Sequence, residues 1–190
     1  MRVLLIDAYE LDDPSRSTAS TTADALRSNG CDVEHQRLHE LGFGAFMTAD
    51  ELRAYRTPQP LIARETRESG AAVADSDALV FCYPAVMFGV PPVLKSWHER
   101  VLVPGVGFRL DHKRRVRPGM TQIRRIGAVA TTSHRRSEIT RARDLGRRTV
   151  MRTMRMNCHR HCRRTFLTVR SENDPISTAS QIERAFKRWR

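Results

Sequence analysis

The sequence predicts an α/β protein built on an open, mostly parallel sheet with helices on both faces. Three observations lead there. Five short apolar runs with β-forming character recur along the chain. Segments with helical spacing separate them, and that alternation is the pattern of a sheet covered on both sides. The 190 residues, 40% hydrophobic and 28% charged, suffice for one sizeable core at roughly 150 residues per domain. Residues 1–190 are therefore read as a single domain.

Val3-Leu4-Leu5-Ile6 is a continuous apolar run reaching Asp7 and reads as a buried parallel strand. The polar loop Asp12-Asp13-Pro14-Ser15-Arg16-Ser17-Thr18 follows. Ala19 to Ser28 reads as a helix with Ala23 and Leu26 on one face, stopped by Asn29-Gly30. Cys31 to Leu38, around Val33, is the second strand. Leu41 to Tyr55 is a surface excursion whose short helix is opened by Thr48-Ala49-Asp50-Glu51. Pro60 to Ser76 reads as a helix with Leu61, Ile62, Thr66, Ala72 and Val73 on its less polar side. Ala78 to Tyr83 is the clearest strand, and it ends in Pro84 and an apolar loop punctuated by Gly and Pro. A helix from Pro92 to Leu102 carries Pro in its first turn, where no amide donor is missed. Ile126 to Thr132 is the fourth strand, Glu138 to Met156 a helix, and Phe166 to Val169 the fifth strand. Ser177 to Arg190 is a closing helix with Ile182, Phe186 and Trp189 on one face.

Composition narrows the function. The longest apolar run, Leu79 to Val93, is broken by Pro84, Gly89, Pro91 and Pro92, whereas a spanning helix needs about 20 apolar residues. The N-terminal run is too short for a signal-peptide core, so the expected location is the cytoplasm and Cys31, Cys82, Cys158 and Cys162 are expected to be reduced. Residues 1–108 carry 10 basic and 15 acidic side chains, while residues 109–170 carry 19 and 3. That block attracts anions: a phosphorylated cofactor, nucleic acid or an acidic partner. No Phe, Tyr or Trp lies between Lys113 and Arg164, which argues against stacking on single strands. Arg141, Arg143, Arg147, Arg148, Arg152 and Arg155 spread around a helix, the pattern of a solvated face. Cys158-His159-Arg160-His161-Cys162 offers zinc-ligand types. Five consecutive residues converge poorly on one tetrahedron, and the neighbouring arginines repel a cation, so no metal is expected and the segment reads as a turn into the fifth strand.

Ligands of open parallel sheets bind outside the carboxyl ends of the strands, which singles out three loops. Ser15-Arg16-Ser17-Thr18 combines hydroxyls, a guanidinium and a helix N-terminus, suited either to a phosphate or to a plain cap. Pro84-Ala85-Val86-Met87-Phe88-Gly89-Val90-Pro91-Pro92 places apolar side chains at a strand end. A flat apolar ligand or a neighbouring chain or helix would cover them. Thr131-Thr132-Ser133-His134 ends the fourth strand.

The segment from Tyr83 through Val101, Pro84-Ala85-Val86-Met87-Phe88-Gly89 followed by Leu94-Lys95-Ser96-Trp97-His98-Glu99-Arg100-Val101, resembles the signature of the flavodoxin-like NAD(P)H:quinone oxidoreductases. Val103-Pro104-Gly105-Val106-Gly107-Phe108 resembles that family's P-G-x-A-F turn, and Arg117-Pro118-Gly119-Met120-Thr121 its lead into the fourth strand. The resemblance implies a flavodoxin-like three-layer sandwich with a parallel five-stranded sheet of order 2-1-3-4-5. It implies a bound flavin, FMN with FAD as the alternative, that takes hydride from NADPH or NADH and passes it to a quinone-like acceptor. It also implies a homodimer. By resemblance Ser15, Arg16, Ser17 and Thr18 would hold the flavin phosphate, and Pro84, Ala85, Val86, Met87 and Phe88 would lie along the ring. Thr131, Thr132 and Ser133 would close the other side, and His134, as the catalytic residue, would hydrogen-bond the acceptor. Three departures stand out. Ala8-Tyr9-Glu10 replaces the usual His-Pro, Met87-Phe88 replaces an aromatic pair, and the loop after Thr132 lacks glycine. Two other readings are kept. One is a flavin- or nucleotide-binding regulatory subunit of a potassium-efflux-type transporter, which the reduced aromatic pair favours. The other is a nucleic-acid-binding protein, which charge alone favours.

Overall fold

The computed structural model describes residues 1–142 and 145–189. Its elements run β1 (Arg2–Asp7), α1 (Ser17–Ser28), β2 (Asp32–Arg37), α2 (Ala49–Ala54), α3 (Arg64–Asp75), β3 (Ala78–Pro84) and α4 (Pro92–Val101). Then come β4 (Phe108–Leu110), β5 (Val116–Pro118), β6 (Arg125–Thr132), α5 (Arg136–Ala142), a π-helical segment (Arg148–Thr153), β7 (Arg163–Arg170) and α6 (Pro175–Phe186). Five strands form one parallel sheet in the order β2-β1-β3-β6-β7. This is the expected order 2-1-3-4-5. Only the numbering differs, because β4 and β5 pair with each other in an antiparallel hairpin for which the sequence gives no strand expectation.

Alternation along the strands divides the core in two. Leu4, Ile6, Leu79, Phe81, Ile126 and Ala128 pack against α3 and α4, where Trp97 meets Phe81 edge-on at 5.8 Å. Val3, Leu5, Val80 and Val129 pack against α1 and α6 with Leu26, Ile182 and Phe186. Burying each of the larger of these side chains is worth roughly 1.5–3 kcal/mol relative to exposure, and the period of two distributes that stabilisation over both faces. Gly127 permits the close approach of the chain end: a Cβ there would stand 2.9 Å from Phe186 Cε1 and 3.0 Å from Trp189.

Local signals explain most boundaries. The short helix α2 has the full capping box, with Thr48 Oγ1 accepting from the Glu51 amide and Glu51 accepting from the Thr48 amide at 2.8 Å. Pro92 opens α4. The helix expected over 138–156 is interrupted instead. Leu145 and Gly146 both take positive φ, 60° and 76°, which no α-helix accommodates. Tyr83 Oη donates to the Leu145 carbonyl at 2.8 Å, and the Gly146 amide to the Phe88 carbonyl at 3.1 Å. Tertiary bonds thus hold the break in place. Arg143, Asp144 and Arg190, which the helix expectations covered, lie outside the described residues.

The basic block does not form one face. Arg109 to Arg117 belong to the β4–β5 hairpin, Arg125, Arg163 and Arg164 start strands, and Arg148 and Arg152 sit on the π-helical segment. Cys158 and Cys162 are buried, and the Cys162 amide donates to the His159 carbonyl at 2.8 Å, closing the turn into β7.

Candidate functional site

The register of the sheet builds the site. Asp7 stands opposite Cys82, and Pro84 opposite Thr131, so the loops after β1, β3 and β6 leave the sheet side by side. This is the end of a parallel sheet where ligands bind, at the point where the chain turns from β2 on one side to β3 on the other.

In the first loop Ser17 and Thr18 lie inside the first turn of α1 rather than before it. Arg16 occupies the N-cap position, and no side chain caps the helix. The plain-cap reading is thereby corrected. The amide of Thr18 donates to the Ser15 carbonyl at 3.0 Å. The hydroxyls of Ser15 and Ser17 and the Ser17 amide have no hydrogen-bond partner among the described residues. These are the donors a phosphate needs at a helix N-terminus. Arg16 is committed elsewhere: its Nη2 donates to Glu40 Oε1 at 2.5 Å.

The second loop is a tight turn. The Val86 amide donates to the Gly89 carbonyl at 3.1 Å and the Gly89 amide returns to Val86 at 2.7 Å. Between them Met87 and Phe88 have φ of 46° and 58°, an uncommon geometry for these side chains. Their own amides carry no hydrogen bond among the described residues. The Ala85 amide is bound to the Thr131 carbonyl at 2.8 Å, anchoring the turn to β6. Met87 is 90% exposed. The Phe88 ring lies on the His134 ring, centroids 4.1 Å apart and planes 18° from parallel.

The third loop is tied inward. Thr131 and Thr132 are buried. Thr131 Oγ1 accepts from Tyr9 Oη at 3.1 Å, and Thr132 Oγ1 accepts from the His134 amide at 3.2 Å. Ser133 is exposed. His134 Nδ1 stands 3.5 Å from Glu138. The Arg135 amide at 2.8 Å, and then His134, hold the Glu138 carboxyl below its ordinary value.

Three groups that the sequence reading did not assign join these loops. Tyr9, in the position of the missing His-Pro, is buried at 3% exposure and crosses to Thr131. Burial pushes its phenol well above the ordinary value, so it stays a donor. Asp7 accepts from the Tyr9 amide at 3.0 Å and faces His35 Nε2 at 3.0 Å. The signal for Asp7 was its place at the end of the first apolar run; nothing local pointed to His35, which arrives through β1–β2 pairing.

The donor set fits a flat phosphorylated ring such as a flavin. Unpartnered hydroxyls and an amide stand at the α1 N-terminus, and two free amides stand beside an aromatic face. One adjustment is needed. A ring between Phe88 and His134 requires about 7 Å, two layers at roughly 3.5 Å each, against the 4.1 Å observed. His134 must leave Phe88 for that face to be used.

Comparisons with known proteins agree with this fold. A family model described as a flavodoxin-like fold matches residues 1–190. The chain is 29% identical over 100 residues to the rat NAD(P)H dehydrogenase (quinone) 1, covering 45% of this chain and 36% of that protein. It is 32% identical over 120 residues to the FMN-dependent NADH:quinone oxidoreductase of Beijerinckia indica, covering 57% and 58%. The alignments thus span about a third to somewhat over half of these curated relatives. The solved structure of the NAD(P)H:quinone oxidoreductase from Methanothermobacter marburgensis superposes with a TM-score of 0.78 at 18% identity, over 100% of this chain and 99% of that one. That likeness is one of fold.

Proposed function

The chain belongs to the family with the flavodoxin-like fold, and on that footing we propose that it is an NAD(P)H-dependent oxidoreductase that binds FMN and reduces quinone-like acceptors. The observation that carries this reading is the turn after β3. Its backbone is locked by two hydrogen bonds, yet it leaves the Met87 and Phe88 amides unpaired among the described residues, next to an aromatic ring. The names of the two curated relatives support the same activity, and the name of the Beijerinckia indica relative supports the choice of FMN over FAD.

FMN, when bound, supplies the carrier for a two-electron transfer from NAD(P)H to the acceptor. The chain supplies position. Ser15 and Ser17, with Thr18 behind them, would hold the phosphate at the α1 N-terminus, and Arg16 would add charge once released from Glu40. Pro84, Ala85 and Val86 would set the height of the turn, so that Met87 and Phe88 donate their amides to the polar edge of the ring. Thr131, Thr132 and Ser133 would form the opposite wall, with Tyr9 holding Thr131 in place. His134, freed from Phe88, would donate a hydrogen bond to the acceptor oxygen, and Glu138 would orient its imidazole.

Leu11, Phe46, Val86 and Met87 are exposed on the loops that follow β1, β2 and β3. A homodimer closed over the groove would cover these side chains. No described helix is long and apolar enough to cross a membrane. Four unbridged cysteines suit the reducing cytoplasm. The test is absorbance near roughly 450 nm in the purified protein, together with quinone-dependent oxidation of NADH and NADPH. Protein that neither retains nor takes up FMN and oxidises neither nucleotide would refute the reading.

A further inference from the structure

The amino-terminal edge of the sheet gathers charges that lie far apart in the chain. Arg125 opens β6, Arg163 and Arg164 open β7, and Arg184, Lys187 and Arg188 stand at the end of α6 and just beyond it. These six side chains line one cavity of about 540 Å³. Among the described residues no carboxylate lines it, and none of the six forms an ion pair. Some cations elsewhere on the molecule are paired, as Arg16 is with Glu40, Arg100 with Glu51 and Arg117 with Asp111.

The cavity wall is fixed. Arg125 Nη1 donates to the Arg188 carbonyl at 2.6 Å, and its guanidinium lies 5.8 Å from the Trp189 ring centroid. Trp189 Nε1 donates to Thr165 Oγ1 at 3.2 Å. The side-chain-free position at Gly127 lets Trp189 settle against β6. Six cations gathered around one cavity repel one another, and a multivalent anion relieves that repulsion. Arginine forks match phosphate oxygens in pairs. The volume falls within the range of small-molecule sites, about 300–1,000 Å³. The only aromatic ring in the lining, Trp189, is 2% exposed and offers no face for stacking nucleobases. β6 runs about 23 Å from Arg125 to Thr132 at roughly 3.3 Å per residue, so the cavity stands apart from the groove after β3.

We propose that this cavity is a binding site for an oligophosphate anion, a chain of two or more linked phosphates. Such a chain is carried by a nucleotide or occurs free as inorganic polyphosphate.

The test uses the full chain and inorganic tripolyphosphate, titrated calorimetrically at moderate salt. Two double variants remove the same net charge: Arg163→Gln with Arg188→Gln in the cavity, and Lys113→Gln with Arg115→Gln on the β4–β5 hairpin. The expected result is one-to-one binding that weakens at least tenfold in the cavity variant and less than twofold in the hairpin variant. Hydrogen exchange on the unmodified protein gives a readout independent of how the variants fold. Tripolyphosphate should slow exchange around 163–165 and 185–189 and leave 108–118 unchanged. Displacement of tripolyphosphate by ATP assigns the site to a nucleotide's phosphate chain. Failure of ATP to displace it assigns the site to free polyphosphate. The proposal is overturned by absence of saturable binding, by equal weakening in both variants, or by a short DNA duplex that binds and resists displacement by tripolyphosphate.

Discussion

Phe88 and His134 lie face to face with centroids 4.1 Å apart, so the turn after β3 and the loop after β6 are latched to each other across the site. A stacked ring pair contributes about 0.5–1.5 kcal/mol beyond its buried area. Under the proposed function a ligand ring must displace His134, and that energy is lost on binding. His134→Ala should therefore raise FMN retention roughly 2–10-fold, since 1.4 kcal/mol is a factor of ten, while lowering quinone turnover. Equilibrium dialysis and steady-state rates check the two opposite directions; a fall in both would place His134 against the flavin from the start.

Phe88→Ala should impair quinone reduction more than stability. The ring is only partly buried, and a core phenylalanine cut to Ala costs about 3–5 kcal/mol. The expected loss in urea denaturation is about 1 kcal/mol. A core-sized loss would show that the ring supports the fold rather than a pocket.

The phosphate loop makes a paired prediction. Ser17→Ala combined with Arg16→Ala should weaken FMN retention, because both remove donors at the α1 N-terminus. Glu40→Gln should strengthen it about threefold by releasing Arg16 from its ion pair. Flavin content after exhaustive dialysis is the measurement, and unchanged content in both variants would remove this loop from the site.

Arg100 is the central cation of a buried network. Its Nε donates to Glu51 at 2.8 and 3.0 Å and its Nη2 to Glu65 at 2.6 Å, with the guanidinium 5.2 Å from the Phe43 ring centroid. Arg100→Met leaves two carboxylates without their partner and should cost about 3–5 kcal/mol. Replacing Glu51 and Glu65 by Leu in the same background should restore much of it, read from the urea midpoint.

Acid should destabilise the fold in two stages. Both ring nitrogens of His98 are out of solvent, with no well-formed hydrogen bond among the described residues. Burial, and then Lys95, pushes its imidazole from 6.5 down to about 3. The unfolded chain therefore binds a proton that the folded chain refuses, and stability falls as pH drops below 6.5, by at most about 1.4 kcal/mol per unit. Glu51 acts lower. Burial alone would raise its carboxyl, but hydrogen bonds from Arg100 and the Thr48 amide outweigh it and hold it below its ordinary 4.5. Its contribution is full above 4.5 and is lost as pH falls through its lowered value. His98→Leu should flatten the stability curve between pH 6.5 and 5 and leave the drop below 4.5 in place. An unchanged slope above pH 5 would exclude His98 as its source.

Much of the molecule could be read locally. Val3–Ile6 and Ala78–Tyr83 are long enough and apolar enough to admit only a buried strand, and Asn29-Gly30, Thr48–Glu51 and Pro92 mark helix ends through backbone chemistry alone. Placing the site at the strand ends followed from that alternation. The His134–Phe88 stack could not be read, because 45 residues of chain separate two rings that meet only when β3 and β6 pair. The break at Leu145 and Gly146 was equally hidden: glycine permits it, but the Tyr83 hydroxyl and the Phe88 carbonyl hold it.

By itself the sequence determined the five strands of the sheet and most of the helices that cover it, that the sheet is parallel and covered on both faces, and which three loops leave the carboxyl ends of its strands. Those properties depend on residue type at short range, through period, capping and turn chemistry. Only the tertiary structure decided what each charged or polar group faces. It sends Arg16 to Glu40, Tyr9 to Thr131 and Asp7 to His35, and it collects Arg125, Arg163 and Arg188 at one end of the sheet. Such pairings are set by strand register and helix packing across tens of residues, where a shift of one position in a strand turns a side chain to the other face.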